Sequence, residues 1–310
     1  MKIEFFHRAC GPRVIVMFSS LMAFCICFWV ILNVFPERVF AETGPGVQWD
    51  IKPAYLSQGG ICRVILKTEP ESRILAVSFG SRNLVLKRLT DNTYMGLIGA
   101  GLKEKPGSKT LQVKVIQKGK HAKIVKIPVV IKGKKYPEEH LRVSRKMVEF
   151  PPDILKRVLA DQKAVKNACS QVTKRIYWDL PFIWPVRSKL LSPFGLRRFF
   201  NEQPRSPHSG VDLRAKTGTP IKAPNNARVA LVRNCYLSGN TVVLDHGGGL
   251  YTLYAHLSRV DIKNGQEVQK GQVIGLAGAT GRATGPHLHW GVSLFGTRVD
   301  PAQFMDLVGQ

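Results

Sequence analysis

Acidic residues are scarce in this chain. Of its 310 residues only 21 are Asp or Glu, against 46 Lys or Arg, which gives a formal net charge of +25. From Lys105 to Pro137 there is no carboxylate at all, while Lys109, Lys114, Lys118, Lys120, Lys123, Lys126, Lys132, Lys134 and Lys135 accumulate. Summed charge of one sign attracts polyanions over long range, so this imbalance implies an acidic partner: nucleic acid, membrane lipid or an anionic polymer. Paired cysteines are also missing. Of six cysteines, Cys10, Cys25 and Cys27 lie near the start, leaving Cys62, Cys169 and Cys235 far apart with no CxxC spacing. That excludes a disulfide framework and a closed thiolate metal site, and leaves a single bridge or buried free thiols. An HExxH helix is absent too, so no glutamate of that kind is available as a general base. Internal repeats and low-complexity tracts of consequence are likewise missing.

The N-terminus decides among the acidic partners. Lys2, Arg8 and Arg13 are followed by Val14 to Phe35 without one charged residue, the pattern of an export leader. Val39-Phe40-Ala41 suits cleavage after Ala41, so residues 1–41 are expected to be a signal peptide. The apolar run is also long enough to span a bilayer, which makes an uncleaved anchor, basic side inside, the alternative. Phe24 before Cys25 is too bulky for a lipoprotein cleavage site. In either case the bulk of the chain leaves the cytosol, for the periplasm or cell envelope, and nucleic acid drops out as a partner.

Residues 46–133 show short alternating runs, such as Cys62-Arg63-Val64-Ile65-Leu66 and Leu111-Gln112-Val113-Lys114-Val115-Ile116, punctuated by Gly, Pro, Asn and Ser. This predicts a small antiparallel β-sandwich of immunoglobulin-like type, with a turn at Pro106-Gly107. Its lysines form either a solvated edge that resists aggregation or an attachment face for anionic wall or membrane polymers. Residues 134–179 read as a linker with a helix: Ile154, Leu155, Val158 and Leu159 recur at helical spacing, Pro152 suits a first turn, and Pro181 lies beyond the end. Strand texture returns over 180–310, as in 227–232, 241–244 and 250–254, so the chain is expected to be mainly β with a second, all-β domain at its C-terminus.

Five of the eight histidines, His208, His246, His256, His287 and His289, fall in that last region. In Pro207-His208-Ser209-Gly210-Val211-Asp212 an imidazole and a carboxylate stand four apart in a segment too rich in glycine for a helix. In Gly285-Pro286-His287-Leu288-His289-Trp290 two imidazoles stand two apart. In extended chain both spacings place the pair on one face. Two imidazole nitrogens and a carboxylate, with a position left open for water, are what a catalytic zinc ion requires. Spacing alone does not divide the roles within the HxH segment. His246, followed by three glycines, reads as a turn-stabilising residue. Tyr254 and Arg282 read either as peptide contacts or as packing and solvated charge. The hairpin around Lys270 has the outline of a carrier-domain turn without the neighbours such a lysine needs.

Together these segments resemble the zinc endopeptidases of the lysostaphin and LytM type, a family of peptidoglycan metallopeptidases. Ser192-Pro193-Phe194-Gly195-Leu196-Arg197-Arg198, His208 to Asp212, Asp245-His246-Gly247, Leu253-Tyr254-Ala255-His256-Leu257, Lys270-Gly271-Gln272 and the stretch from Thr280 to Trp290 follow that family's order. The resemblance covers roughly residues 184–301. It implies His208, Asp212 and His289 as ligands of one Zn2+, and His256 and His287 as the catalytic pair beside the open position. It also implies hydrolysis of an amide by water activated at the ion, with histidines handling the proton, and peptide cross-links of bacterial peptidoglycan as substrate. A non-catalytic relative that regulates another wall hydrolase is the alternative, and loss of one of these five residues would mark it; all five are present. A polymer-binding protein that merely stores metal would not explain an open position flanked by two further histidines.

Overall fold

The computed structural model describes residues 42–142 and 150–309. The expected leader lies outside these residues. No helix among the described residues is long and apolar enough to cross a membrane.

Alternation of apolar and polar side chains builds the N-terminal part. In the strand Lys123–Lys132, Val125, Ile127, Val129 and Ile131 are buried while their neighbours face solvent. It pairs antiparallel with Gly107–Gln117, where Leu111, Val113 and Val115 do the same. Five strands form this sheet, in the order Leu56–Ser57, Lys123–Lys132, Gly107–Gln117, Ser72–Phe79, Arg82–Asn83. A second runs Glu42–Gly44, Val47–Lys52, Ile61–Thr68, Thr93–Gly99, Lys87–Arg88. Between them lies a core of Trp49, Cys62, Val64, Leu66, Leu111, Val113, Ile127 and Val129. Pro106 is a bend and Gly107 already opens a strand; the turn falls at Leu102-Lys103 instead.

The strand Ile61–Thr68 is buried on both sides, as a nearly continuous apolar run permits. Its Cys62, Val64 and Leu66 enter the sandwich core. Ile61 and Ile65, with Met95 and Leu97 of the next strand, join a second core containing Val299, Phe304, Met305 and Val308. Polar contacts fix this junction: Gln303 Oε1 accepts from the Ile61 amide at 3.1 Å, and the Asp300 amide donates to Gly59 O at 2.8 Å. Asp300 also caps the short helix α2 (Pro301–Val308), accepting from the Ala302 amide at 3.0 Å.

The C-terminal sheet has the order Leu190–Ser192, Val211–Arg214, His287–Leu294, Leu250–Leu257, Gly239–Gly247, Ala227–Cys235, Glu267–Val268, with Thr297–Val299 added to His287–Leu294. One face is packed by Leu288, Trp290, Val292 and Tyr254 into the second core. On the other face lies the helix α1 (Pro152–Ser170), which carries proline in its first turn and Asp153 beside the N-terminal dipole. Val165, Ala168 and Cys169 of α1 pack on Val243, Tyr251, Leu253 and Ala255. The helix orientation is set by Asp161, which is buried and accepts from Arg233 Nε at 2.7 Å and the Tyr236 amide at 2.8 Å. Leu155 and Leu159, part of the apolar face expected from the spacing, are left exposed. Cys62, Cys169 and Cys235 are buried free thiols.

Candidate active site

Strand register brings the site together. Asp212 of Val211–Arg214 lies directly opposite His289 of His287–Leu294, and Ala255 lies opposite His289 on the other side. His208 reaches the same point from the loop before its strand. Gly210 makes this approach possible, because a Cβ there would stand 2.4 Å from Trp290 O and 2.9 Å from His289 Nε2. His208 Nε2, Asp212 Oδ1 and His289 Nδ1 are mutually 2.9–3.0 Å apart. Each of these three side chains has one ligand atom there, close enough together to hold a single metal ion.

The chemistry of this trio fits a cation rather than a hydrogen-bonded cluster. His208 Nδ1 donates to Pro193 O at 2.8 Å, which aims Nε2 at an anionic oxygen and at a second imidazole. Burial alone would raise the Asp212 carboxyl. Hydrogen bonds and charge from His208 and His289 outweigh it and hold the carboxyl far below the usual carboxylate range. Burial pushes His289 down to about 4, against the pull of Asp212. Asp212 and His289 are therefore proton-free near neutrality, as metal ligands must be. The second oxygen of Asp212 faces Arg198, whose Nη2 is 3.9 Å away and also donates to Ser192 Oγ at 3.1 Å; Arg198 Nε donates to Glu139 Oε2 at 3.0 Å.

His256 and His287 flank the trio, with ring centroids 4.8 Å apart. His256 Nδ1 donates to Thr280 O at 2.8 Å and His287 Nδ1 to Gly285 O at 2.9 Å, which leaves each Nε2 as the acceptor. His287 Nε2 lies 3.7 Å from Asp212 Oδ1. Burial pushes His256 below its ordinary value. His256 also has φ of +63°, a conformation uncommon for a non-glycine residue, and its amide donates to Ser238 O at 2.8 Å. The strand Leu250–Leu257 has a register irregularity against Gly239–Gly247 at this point, and the His256 ring stands beside those of His287 and His289. A cavity of about 600 Å³ opens over all five residues, bordered by the strand Glu138–Leu141 and by Arg205 and Arg282.

The other residues singled out by sequence sit elsewhere or act otherwise. His246 is fully buried, with Nδ1 donating to Asn226 O at 3.0 Å and Nε2 2.8 Å from Thr252 Oγ1; it ties strands together instead of making a turn. Tyr254 is buried on the opposite face, its hydroxyl 2.8 Å from Thr252 Oγ1, so it does not reach the cavity. Arg282 stays at the cavity, near the ring of Phe200. Lys270 donates to Pro181 O. Sequence reasoning did not single out Ser192, Arg198 or the carbonyls of Pro193, Thr280 and Gly285 as orienting groups, although all lie within or beside the motif segments.

A mainly β fold with a His-Asp-His metal trio beside two further histidines defines a metallopeptidase of one recognisable class. The profile of Peptidase family M23 matches residues 206–301. A crystal structure of an M23 peptidase from Pseudomonas aeruginosa superposes with TM-score 0.62 and 31% identity, over 82% of this chain and 96% of that one. The chain belongs to peptidase family M23. Among curated relatives, the peptidoglycan DD-endopeptidase ShyA of Vibrio cholerae is 42% identical over 120 residues, 38% of this chain and 28% of ShyA. The DD-carboxypeptidase/endopeptidase Mpg of Neisseria meningitidis is 39% identical over 116 residues, 37% of this chain and 27% of Mpg. The matched segments thus span under a third of these relatives' length.

Proposed function

We propose that the chain is a zinc-dependent endopeptidase that hydrolyses the peptide cross-links of bacterial peptidoglycan in the cell envelope. The observation that carries this reading is the meeting of His208 Nε2, Asp212 Oδ1 and His289 Nδ1 within 3.0 Å, beside two histidines whose Nε2 atoms are free to take a proton. The names of ShyA and Mpg support the substrate class. In this reading His208, Asp212 and His289 hold one zinc ion. An ion held by these residues would supply polarisation of the scissile carbonyl and would lower the pKa of a bound water toward ~7. His256 and His287, held by their carbonyl partners with Nε2 outward, take the proton from the attacking water and donate to the developing oxyanion. Residues 180–310 are the catalytic domain, 134–179 the linker, and 46–133 the domain whose lysines engage anionic wall or membrane polymers. Residues 1–41 direct export or anchor the chain.

The test is release of new amine termini from purified peptidoglycan, with zinc, with chelator and with His287→Ala. Activity abolished in both controls is the expected result, and the fragment masses name the bond. A chain that retains zinc yet releases nothing would replace this reading with that of a non-catalytic regulator.

A further inference from the structure

The sheet formed by Leu56–Ser57, Lys123–Lys132, Gly107–Gln117, Ser72–Phe79 and Arg82–Asn83 contains no Asp or Glu in any of its strands. Val113, Val115, Val125 and Ile127 point into the sandwich core, so Lys114, Ile124 and Lys126 between them point to solvent. Register sets these side by side. Lys114 stands opposite Ile124 on one flank and Ala76 on the other, and Lys126 stands opposite Gln112. A bulge between Ile74 and Ala76 leaves Leu75 as an extra, exposed residue beside Lys114's partner.

Charge and apolar surface coincide on this outer face. Carboxylates reach only its margins, where Glu104 pairs with Lys109 at 2.6 Å and Glu71 with Lys118 at 3.4 Å. Among the described residues, no carboxylate pairs with Arg73, Lys114, Lys123 or Lys126. Interleaved with these cations, Ile124 is 54% exposed, Val130 46% and Leu75 45%. Tyr55, just before the edge strand, is exposed as well and carries the Lys132 ammonium 4.0 Å from its ring centroid. The strand Lys123–Lys132 alone extends about 30 Å along this face. A soluble polyanion would satisfy the lysines and leave the apolar side chains in water. A bilayer surface satisfies both, because headgroup phosphates meet the ammonium groups while apolar side chains enter the boundary below them and lysine stems lie along apolar surface.

We infer that this outer face is a docking surface for a bilayer of anionic phospholipid. Lys114, Lys126 and Lys132 hold the headgroups, and Ile124, Val130 and Leu75 enter the acyl boundary. This rests on the reading of the lysines given above, which it narrows to one occupant, and it is independent of the peptidase chemistry. A chain docked in this way stays at the membrane even when its leader has been cleaved.

The experiment uses residues 42–310, which contain every described strand and both cores, so that the apolar run from Val14 to Phe35 does not itself enter the bilayer. Co-sedimentation compares vesicles of phosphatidylcholine with vesicles of phosphatidylcholine and phosphatidylglycerol in equal parts. Binding is expected to the anionic vesicles alone and should weaken as salt rises. Lys114→Gln combined with Lys126→Gln should weaken it about 25-fold, at roughly fivefold for each lysine near an anionic surface. Ile124→Ser combined with Val130→Ser should weaken it severalfold and leave its salt dependence unchanged, which a contact through charge alone would not show. Equal binding to both vesicles, or either pair of substitutions leaving the affinity unchanged, would overturn the docking surface. Binding to soluble polyphosphate without binding to anionic vesicles would overturn it too, while leaving the lysines a polymer as partner. Binding to neither would remove both readings.

Discussion

Three imidazoles around the site have one nitrogen committed to a backbone carbonyl: His208 to Pro193, His256 to Thr280 and His287 to Gly285. Each carbonyl fixes a tautomer and so decides which nitrogen is available for chemistry. The second oxygen of Asp212 faces the Arg198 guanidinium across 3.9 Å. If Asp212 holds zinc as proposed, replacing Arg198 with Ala should weaken zinc affinity by about 10–100-fold, the usual effect of removing a partner that orients a ligand; a chelator competition measures it. His246 offers a different test. Burial holds it down to about 4, whereas in the unfolded chain it titrates at its ordinary value of 6.5. The unfolded state therefore binds the extra proton, so the contribution to stability is complete above 6.5 and is lost as pH falls toward 4. It amounts to about 3 kcal/mol. Denaturant titrations at pH 7 and pH 4.5 should show a smaller loss in His246→Gln than in the unsubstituted chain. The meeting of His208, Asp212 and His289 was legible in the sequence, because the HxxxD and HxH spacings each put their side chains on one face. The left-handed backbone of His256 was not, since a histidine before Leu257 carries no local mark of such a turn.

At the level of elements, the strands announced themselves by alternation, and α1 by its spacing and its proline. What the pattern did not reveal is which side of α1 packs. Leu155 and Leu159 suggested an apolar stripe, yet a charged residue, Asp161, docks the helix, by ties to Arg233 and the Tyr236 amide that bridge 72 and 75 residues of sequence. Such ties depend on where two distant segments meet, which no local pattern encodes. Asp161→Ala should leave the Tyr236 amide and the Arg233 guanidinium without their partner, costing about 1–3 kcal/mol. Equilibrium denaturation would register the loss, and amide exchange over residues 152–170 should accelerate with it. Register is similarly hidden: nothing near Asp212 tells that its neighbour across the sheet is His289.

For the molecule as a whole, one hydrophobic core takes in Ile61, Ile65, Met95 and Leu97 from the sandwich strands along with Val299, Phe304 and Val308 from the C-terminal part. The run Cys62-Arg63-Val64-Ile65-Leu66 read as an alternating strand, whereas Ile61–Thr68 is covered on both sides, because each face meets a different core. Residues 42–309 should consequently unfold in a single calorimetric transition, with van't Hoff and calorimetric enthalpies in agreement. Two resolved transitions would show the parts to be independent. The pairing of Asp212 with His289, set 77 residues apart, has a consequence in time. A chain made from its N-terminus cannot gather His208, Asp212 and His289 until the strand His287–Leu294 has been synthesised and has settled beside Val211–Arg214. However long the nascent polypeptide lingers among other proteins, it carries scattered histidines, and under the proposed function it could cut nothing before that strand is in place.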